Sequence, residues 1–149
     1  MKAQRKINII LLLLFCFIGL SSCGSQQKVS IEIVPQIEKY SPVMSSVIGF
    51  PLKVKFNDDT SKYKDYIYHW RADNGTFMGS ELSNKKEDGT LNDRKTKSDI
   101  IYWSPPLDGT LTSKTTKLIV EIENGNGKVL GTDSIELVTD DKLNTTVKK

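Results

Sequence analysis

The chain has 149 residues, with 21 Lys and Arg against 18 Asp and Glu, two cysteines and one histidine. Cations and acids are interspersed, which excludes the clustered basic face that nucleic-acid binding requires. Both cysteines, Cys16 and Cys23, lie near the N-terminus, so no disulfide framework braces the remainder, and the length suits one domain with its own core.

Lys2, Arg5 and Lys6 precede an apolar run over 9–20, and Ser21 and Ser22 follow it. A charged start, a short apolar stretch and small residues form the pattern of an export signal rather than the start of a fold. The run is also shorter than the roughly 20 apolar residues of a spanning helix. Leu20-Ser21-Ser22-Cys23 resembles the lipobox of bacterial lipoproteins. That resemblance implies cleavage of a signal peptide over 1–22 and a diacylglyceryl thioether on Cys23. The protein would then be anchored in the lipid bilayer through Cys23 and face outside the cytoplasm. An ordinary secretory signal and an uncleaved anchor are the other readings of the segment. Loss of 1–22 removes three cations and no acid, so the 21 Lys and Arg fall to 18, equal to the acids, and the formal +3 belongs to the signal. Residues 23–29 are polar and read as a tether. The domain is expected over 30–140 and a flexible tail over 141–149.

The first strand is predicted over 30–34, where Ile31 and Ile33 face one way and Ser30 and Glu32 the other, with Pro35 limiting it. Residues 50–56 alternate most cleanly: Phe50, Leu52, Val54 and Phe56 oppose Pro51, Lys53 and Lys55, the signature of a half-buried strand. The turn residues Asn57-Asp58-Asp59 close it. A strand over 66–72 sets Tyr66, Tyr68, Trp70 and Ala72 against Ile67, His69 and Arg71. Asp73-Asn74-Gly75 tolerates positive φ and predicts a tight hairpin returning through Thr76, Phe77 and Met78. Residues 79–98 are polar, with Leu82 and Leu91 as the only large apolar side chains, and are expected to hold a short edge strand or two within loops. A strand at 99–103 stops at Pro105-Pro106. The last pair, 116–123 and 129–138, is split by Asn124-Gly125-Asn126-Gly127, the strongest turn signal in the chain.

About seven strands at spacings near 10 residues, with no helical periodicity, predict an all-β, immunoglobulin-like two-sheet sandwich. Its core would be Phe50, Leu52, Val54, Trp70, Leu118, Val120 and Ile122. Alternation alone does not say how sheets close, so a small open β-barrel is the other compatible arrangement. The order of Tyr68-His69-Trp70, the Asp73-Asn74-Gly75 turn, Trp103-Ser104-Pro105-Pro106 and Asn124-Gly125-Asn126-Gly127 resembles the immunoglobulin-like and polycystic-kidney-disease-like domains of bacterial surface proteins. The resemblance implies that Trp70 fills the space between the sheets. It implies no single activity, because that fold serves adhesion, carbohydrate contact and spacing. The polycystic-kidney-disease type follows its tryptophan with Asp-Phe-Gly-Asp-Gly, where this chain has Arg71-Ala72-Asp73-Asn74-Gly75.

Chemistry is sparse. His69 is the only histidine, and zinc would have only carboxylates as its co-ligands. There is no Gly-x-Ser-x-Gly elbow and no phosphate-binding glycine loop. Asp58, Asp59 and Asp73 sit at strand ends where calcium is conceivable, yet the spacing of a calcium loop is absent. Asn74-Gly-Thr76 and Asn144-Thr-Thr146 fit a glycosylation sequon and read more simply as turn and tail. No catalytic residue, cofactor or metal is expected, and no enzyme. A membrane-anchored binding or scaffolding module for an envelope protein or polymer is the leading expectation. A small inhibitor or accessory subunit of an exported enzyme is the alternative, and a hydrolase is third. Contact specificity is expected in the connections between strands, at Asp73, Asn74 and Phe77 and at Lys85, Lys86, Glu87 and Asp88.

Overall fold

The structure, a computed structural model, describes residues 28–59, 65–78, 92–107 and 113–148. Ten strands follow in chain order: β1 (Ile31–Pro35), β2 (Lys39–Tyr40), β3 (Phe50–Phe56), β4 (Ile67–Ala72), β5 (Thr76–Met78), β6 (Asp93–Thr96), β7 (Ile100–Ser104), β8 (Thr115–Glu123), β9 (Val129–Thr139) and β10 (Thr145–Val147). They form a four-stranded sheet, β1-β3-β7-β5, and a six-stranded sheet, β2-β10-β9-β8-β4-β6, with every ladder antiparallel. This is an open β-sandwich of immunoglobulin-like shape and not a closed barrel. No helix is present among the described residues.

The alternating residues meet between the sheets as their period of two dictates. Phe50, Leu52, Trp70, Trp103, Leu118, Val120, Ile122 and Leu137 are fully buried, and Val54, Ile33 and Phe77 are nearly so. The rings of Trp70 and Phe77 lie 6.2 Å apart across the two sheets, and Phe56 stacks on Tyr66 at 5.2 Å.

Three features depart from the sequence reading. The residues Asp73-Asn74-Gly75 do not close a hairpin: β4 pairs with β6 and β8, whereas β5 pairs with β7. The turn instead carries the chain from the six-stranded sheet to the four-stranded one. Trp103 holds it there by donating from Nε1 to the Asn74 carbonyl at 2.9 Å. Gly75 has φ of +80°, and a Cβ would lie 2.5 Å from the Ser104 carbonyl oxygen and 2.6 Å from the Trp103 ring, so only glycine fits the crossing.

Second, the tail expected to be flexible over 141–149 contains β10, which pairs with both β9 and β2. Asp140 makes the turn possible by accepting from the backbone N–H groups of Lys142 (2.9 Å) and Asn144 (2.8 Å). Thr145 is then fully buried, its hydroxyl 3.0 Å from that of Thr139. Third, the strands number ten where about seven were expected; β2 and β10, with two and three residues, are too short for alternation to register.

The registers define two poles. Ile31 faces Phe56, Ile67 faces Glu123, and Val29 donates to the Leu130 carbonyl. The N-terminal pole therefore gathers residues 28–30, 57–59 and 124–128. The opposite pole gathers the 41–49 loop, the Asp73-Asn74-Gly75 crossing, residues 105–107 and the β9–β10 turn.

Candidate functional site

Two surfaces stand out, and sequence reasoning singled out neither. The first is the opposite pole. Of the six large apolar side chains exposed among the described residues, Val43, Met44, Val47, Ile48 and Leu107 lie there and only Val129 lies at the N-terminal pole. Val43 and Met44 are 86% and 87% exposed. The loop that carries them is self-bonded. Met44 and Ser45 donate their backbone N–H groups to the Ser41 carbonyl, Ser41 N donates to the Ser45 hydroxyl at 3.0 Å, and the buried Tyr40 hydroxyl reaches the Ile48 carbonyl at 3.4 Å. Part of the loop's backbone is thus bonded within the loop itself while its apolar side chains face out. Such a gathering marks a contact surface more than scattered apolar residues do. An open groove of about 750 Å³ lies beside β2 and β10, lined by residues 35–39 and by Thr146 and Val147.

The second surface is a charged network on the outer face of the six-stranded sheet. Register explains it: His69 lies opposite Glu121 on one side and Lys95 on the other, and Arg71 lies opposite Ile119 and Asp93. His69 Nε2 is 2.7 Å from Asp93 Oδ1, and Nδ1 is 3.0 Å from Glu123 Oε1 and 3.8 Å from Glu121 Oε2. Lys95 donates to both Glu123 oxygens at 2.9 and 2.7 Å, and Arg71 donates to Glu121. The Glu123 side chain is only 6% exposed and that of His69 14%. Burial pushes the Glu123 carboxyl up, but the hydrogen bonds and charges of Lys95 and His69 outweigh it and hold the group below the ordinary glutamate range.

The contact residues expected from sequence divide. Phe77 is 3% exposed against Trp70, so it belongs to the core, because the chain crosses between sheets just before it. Asp73 receives the Lys117 N–H at 3.0 Å, and Asn74 receives the Gly75 N–H at 2.8 Å; both shape the crossing. Lys85, Lys86, Glu87, Asp88, Cys23, the signal segment 1–22 and most of the tether lie outside the described residues. Asp58 accepts from Ser30 N at 2.8 Å at the N-terminal pole, whereas Asp73 follows β4 at the opposite one. Asp58 and Asp73 therefore cannot share a calcium ion.

Comparison with protein-family models, with curated proteins and with solved structures gives no match for this chain. What is defined is the class: an all-β protein built as an open, two-sheet sandwich of immunoglobulin-like shape, with an apolar loop at one pole.

Proposed function

We propose that the protein is a lipid-anchored bacterial surface module that contacts an envelope protein or polymer through the pole remote from the membrane. The observation that carries this reading is the gathering of Val43, Met44, Val47, Ile48 and Leu107 on the pole opposite the N-terminal strand. The lipobox-like Leu20-Ser21-Ser22-Cys23 supports the anchor, and a diacyl pair holds a protein where one chain would let it exchange. A tether over 23–29 reaches at most about 25 Å. It would keep the N-terminal pole near the bilayer and the apolar loop turned away. The likeness to surface domains of polycystic-kidney-disease type fits a module that presents loops from a rigid sandwich.

The protruding, self-bonded loop also favours a second reading, an accessory subunit or inhibitor whose loop enters a partner's cleft. Residues 83–91, with Lys85, Lys86, Glu87 and Asp88, are proposed from their sequence as a further, mixed-charge contact segment.

Two experiments test the proposal. A fatty-acid analogue labels the wild-type chain and not a Cys23→Ser variant; label on the variant removes the anchor from the reading. Crosslinking in membranes recovers a defined partner that is lost when Val43, Met44, Val47 and Ile48 are all replaced by serine, with thermal unfolding unchanged. Equal recovery from both proteins refutes the apolar contact. Exchange of 83–91 for a Gly-Ser linker asks the same of that charged segment and leaves β6 intact. Inhibition of a recovered enzyme by the soluble domain would decide for the second reading.

A further inference from the structure

We propose that His69, Glu121 and Glu123 form a binding site for a divalent transition-metal ion of the zinc class, with Asp93 orienting the histidine. The imidazole is held between acids on both sides. Both its nitrogens face carboxylate oxygens, Nε2 at 2.7 Å from Asp93 and Nδ1 at 3.0 Å from Glu123. A neutral imidazole carries one N–H. In the tautomer that carries it on Nε2, directed at Asp93, the Nδ1 lone pair points at acid oxygens, a position that only a second proton or a cation can fill. Zinc held by nitrogen and carboxylate oxygen at about 2.0 to 2.2 Å has ligand-to-ligand edges of about 3.3 to 3.6 Å in a tetrahedron. The Nδ1 contacts at 3.0 Å to Glu123 and 3.8 Å to Glu121 bracket that edge, and the three donor atoms all lie within 4.8 Å of one another.

The Asp93 contact matches that of a metal-bound histidine, whose other nitrogen is given to a carboxylate that fixes tautomer and ring orientation. Here that carboxylate comes from a third strand, β6, while the ligands come from β4 and β8. Charge points the same way once the imidazole is neutral, the form in which it can bind a metal. Arg71 and Lys95 then supply two positive charges against three from Asp93, Glu121 and Glu123, one short of balance around a carboxylate that is 6% exposed.

Lys95 is the competitor. Its ammonium sits on both Glu123 oxygens, but its side chain is 49% exposed on an edge strand, so it can swing to water when an ion enters. With Lys95 released, a doubly charged ion and Arg71 balance the three acids. The site thus makes a prediction opposite to that of a plain ion-pair network: removing Lys95 strengthens metal binding.

Titration calorimetry of Zn²⁺ into the full chain tests this, with Cys16→Ser and Cys23→Ser in every protein so that no thiol competes. The expected result is one equivalent bound, a raised melting temperature, and visible d–d bands of low coordination number when Co²⁺ is used instead. Lys95→Met is expected to tighten Zn²⁺ severalfold, and Glu123→Gln and His69→Ala to abolish both the heat and the bands. Asp93→Asn, which keeps the shape of the network, is expected to weaken binding and serves if His69→Ala does not fold. Absence of binding at millimolar Zn²⁺ in both the wild-type chain and Lys95→Met overturns the proposal, as does undiminished binding in a folded Glu123→Gln variant.

Discussion

Replacing Trp70 with alanine is expected to destabilise the domain by about 3 to 5 kcal/mol, the range for truncating a core aromatic. The magnitude follows from the structure. The indole is fully buried, between β4 and the Phe77 ring 6.2 Å away. An aromatic of this size removes up to about 250 Å² from water, worth about 6 kcal/mol at roughly 25 cal/mol per Å². Against this stands its Nε1 hydrogen, buried without a partner among the described residues, which costs about 1 to 3 kcal/mol. The difference returns the same 3 to 5 kcal/mol. Trp70→Phe separates the two contributions: it gives up part of the packing but discards the orphan N–H, so its loss is expected to be below about 2 kcal/mol. Urea unfolding of the chain lacking 1–22 measures both variants, with the equally buried Trp103 remaining as the fluorescent reporter. A loss below about 1 kcal/mol for Trp70→Ala, the scale of surface substitutions, would refute the assignment of this ring as the centre of the core.

Gly75→Ala is expected to cost more than Gly127→Ala in thermal melts. Both glycines have positive φ, but an added Cβ meets the Ser104 carbonyl and the Trp103 ring at Gly75 and open space at Gly127; strain alone costs about 1 to 3 kcal/mol, and equal losses would deny the crossing its tight fit. Because Glu123 is held below its ordinary range, its contribution is fully present above the unfolded-state pKa and is lost as pH falls through the lower folded-state value. Urea midpoints are therefore expected to drop on acidification below the ordinary glutamate range, and the drop should shrink in Glu123→Gln. Deleting 141–149 removes β10 and uncovers Thr139 and Leu137, both buried. A loss of at least about 1 kcal/mol, roughly 4 to 8 °C in a domain this small, is expected, and an unchanged melting temperature would restore the view of a free tail.

Alternation made the long strands legible. The seven side chains assigned to the core from sequence, from Phe50 to Ile122, are all buried, because a period of two on a strand of five or more residues leaves little choice of face. Trp103 stands in the sequence at the end of the 99–103 strand and in a Trp-x-x-Pro element, neither of which marks it as core, yet it is fully buried and hydrogen-bonded to Asn74. Crossing and hairpin share the Asp-Asn-Gly signal, since that triplet reports permitted φ and not the sheet to which the chain returns. The His69 network required cross-strand register: Glu121 and Glu123 lie 52 and 54 residues away in sequence and meet His69 through the β4–β8 ladder, as Asp93 and Lys95 do through the β4–β6 ladder. The apolar loop was hidden for a different reason. Val43, Met44, Val47 and Ile48 have the composition of a core, and their outward direction comes from the local bonding of Ser41, Met44 and Ser45.

The pairing of β1 with β3 bears on how the domain would carry tension. β1 begins at the N-terminal pole and β3 begins at the opposite one, directly after the 41–49 loop, and five residue pairs from Ile31↔Phe56 to Pro35↔Leu52 join them. A pull applied at the tether and resisted at that loop would act on the two strands from their N-terminal ends in opposite directions. The load then runs parallel to the strands and is shared by the whole ladder at once, instead of opening one hydrogen bond after another. Asp133 adds a lateral clamp by accepting the Ile33 N–H at 2.7 Å. A domain held in this way would resist extension by a load applied between its two poles.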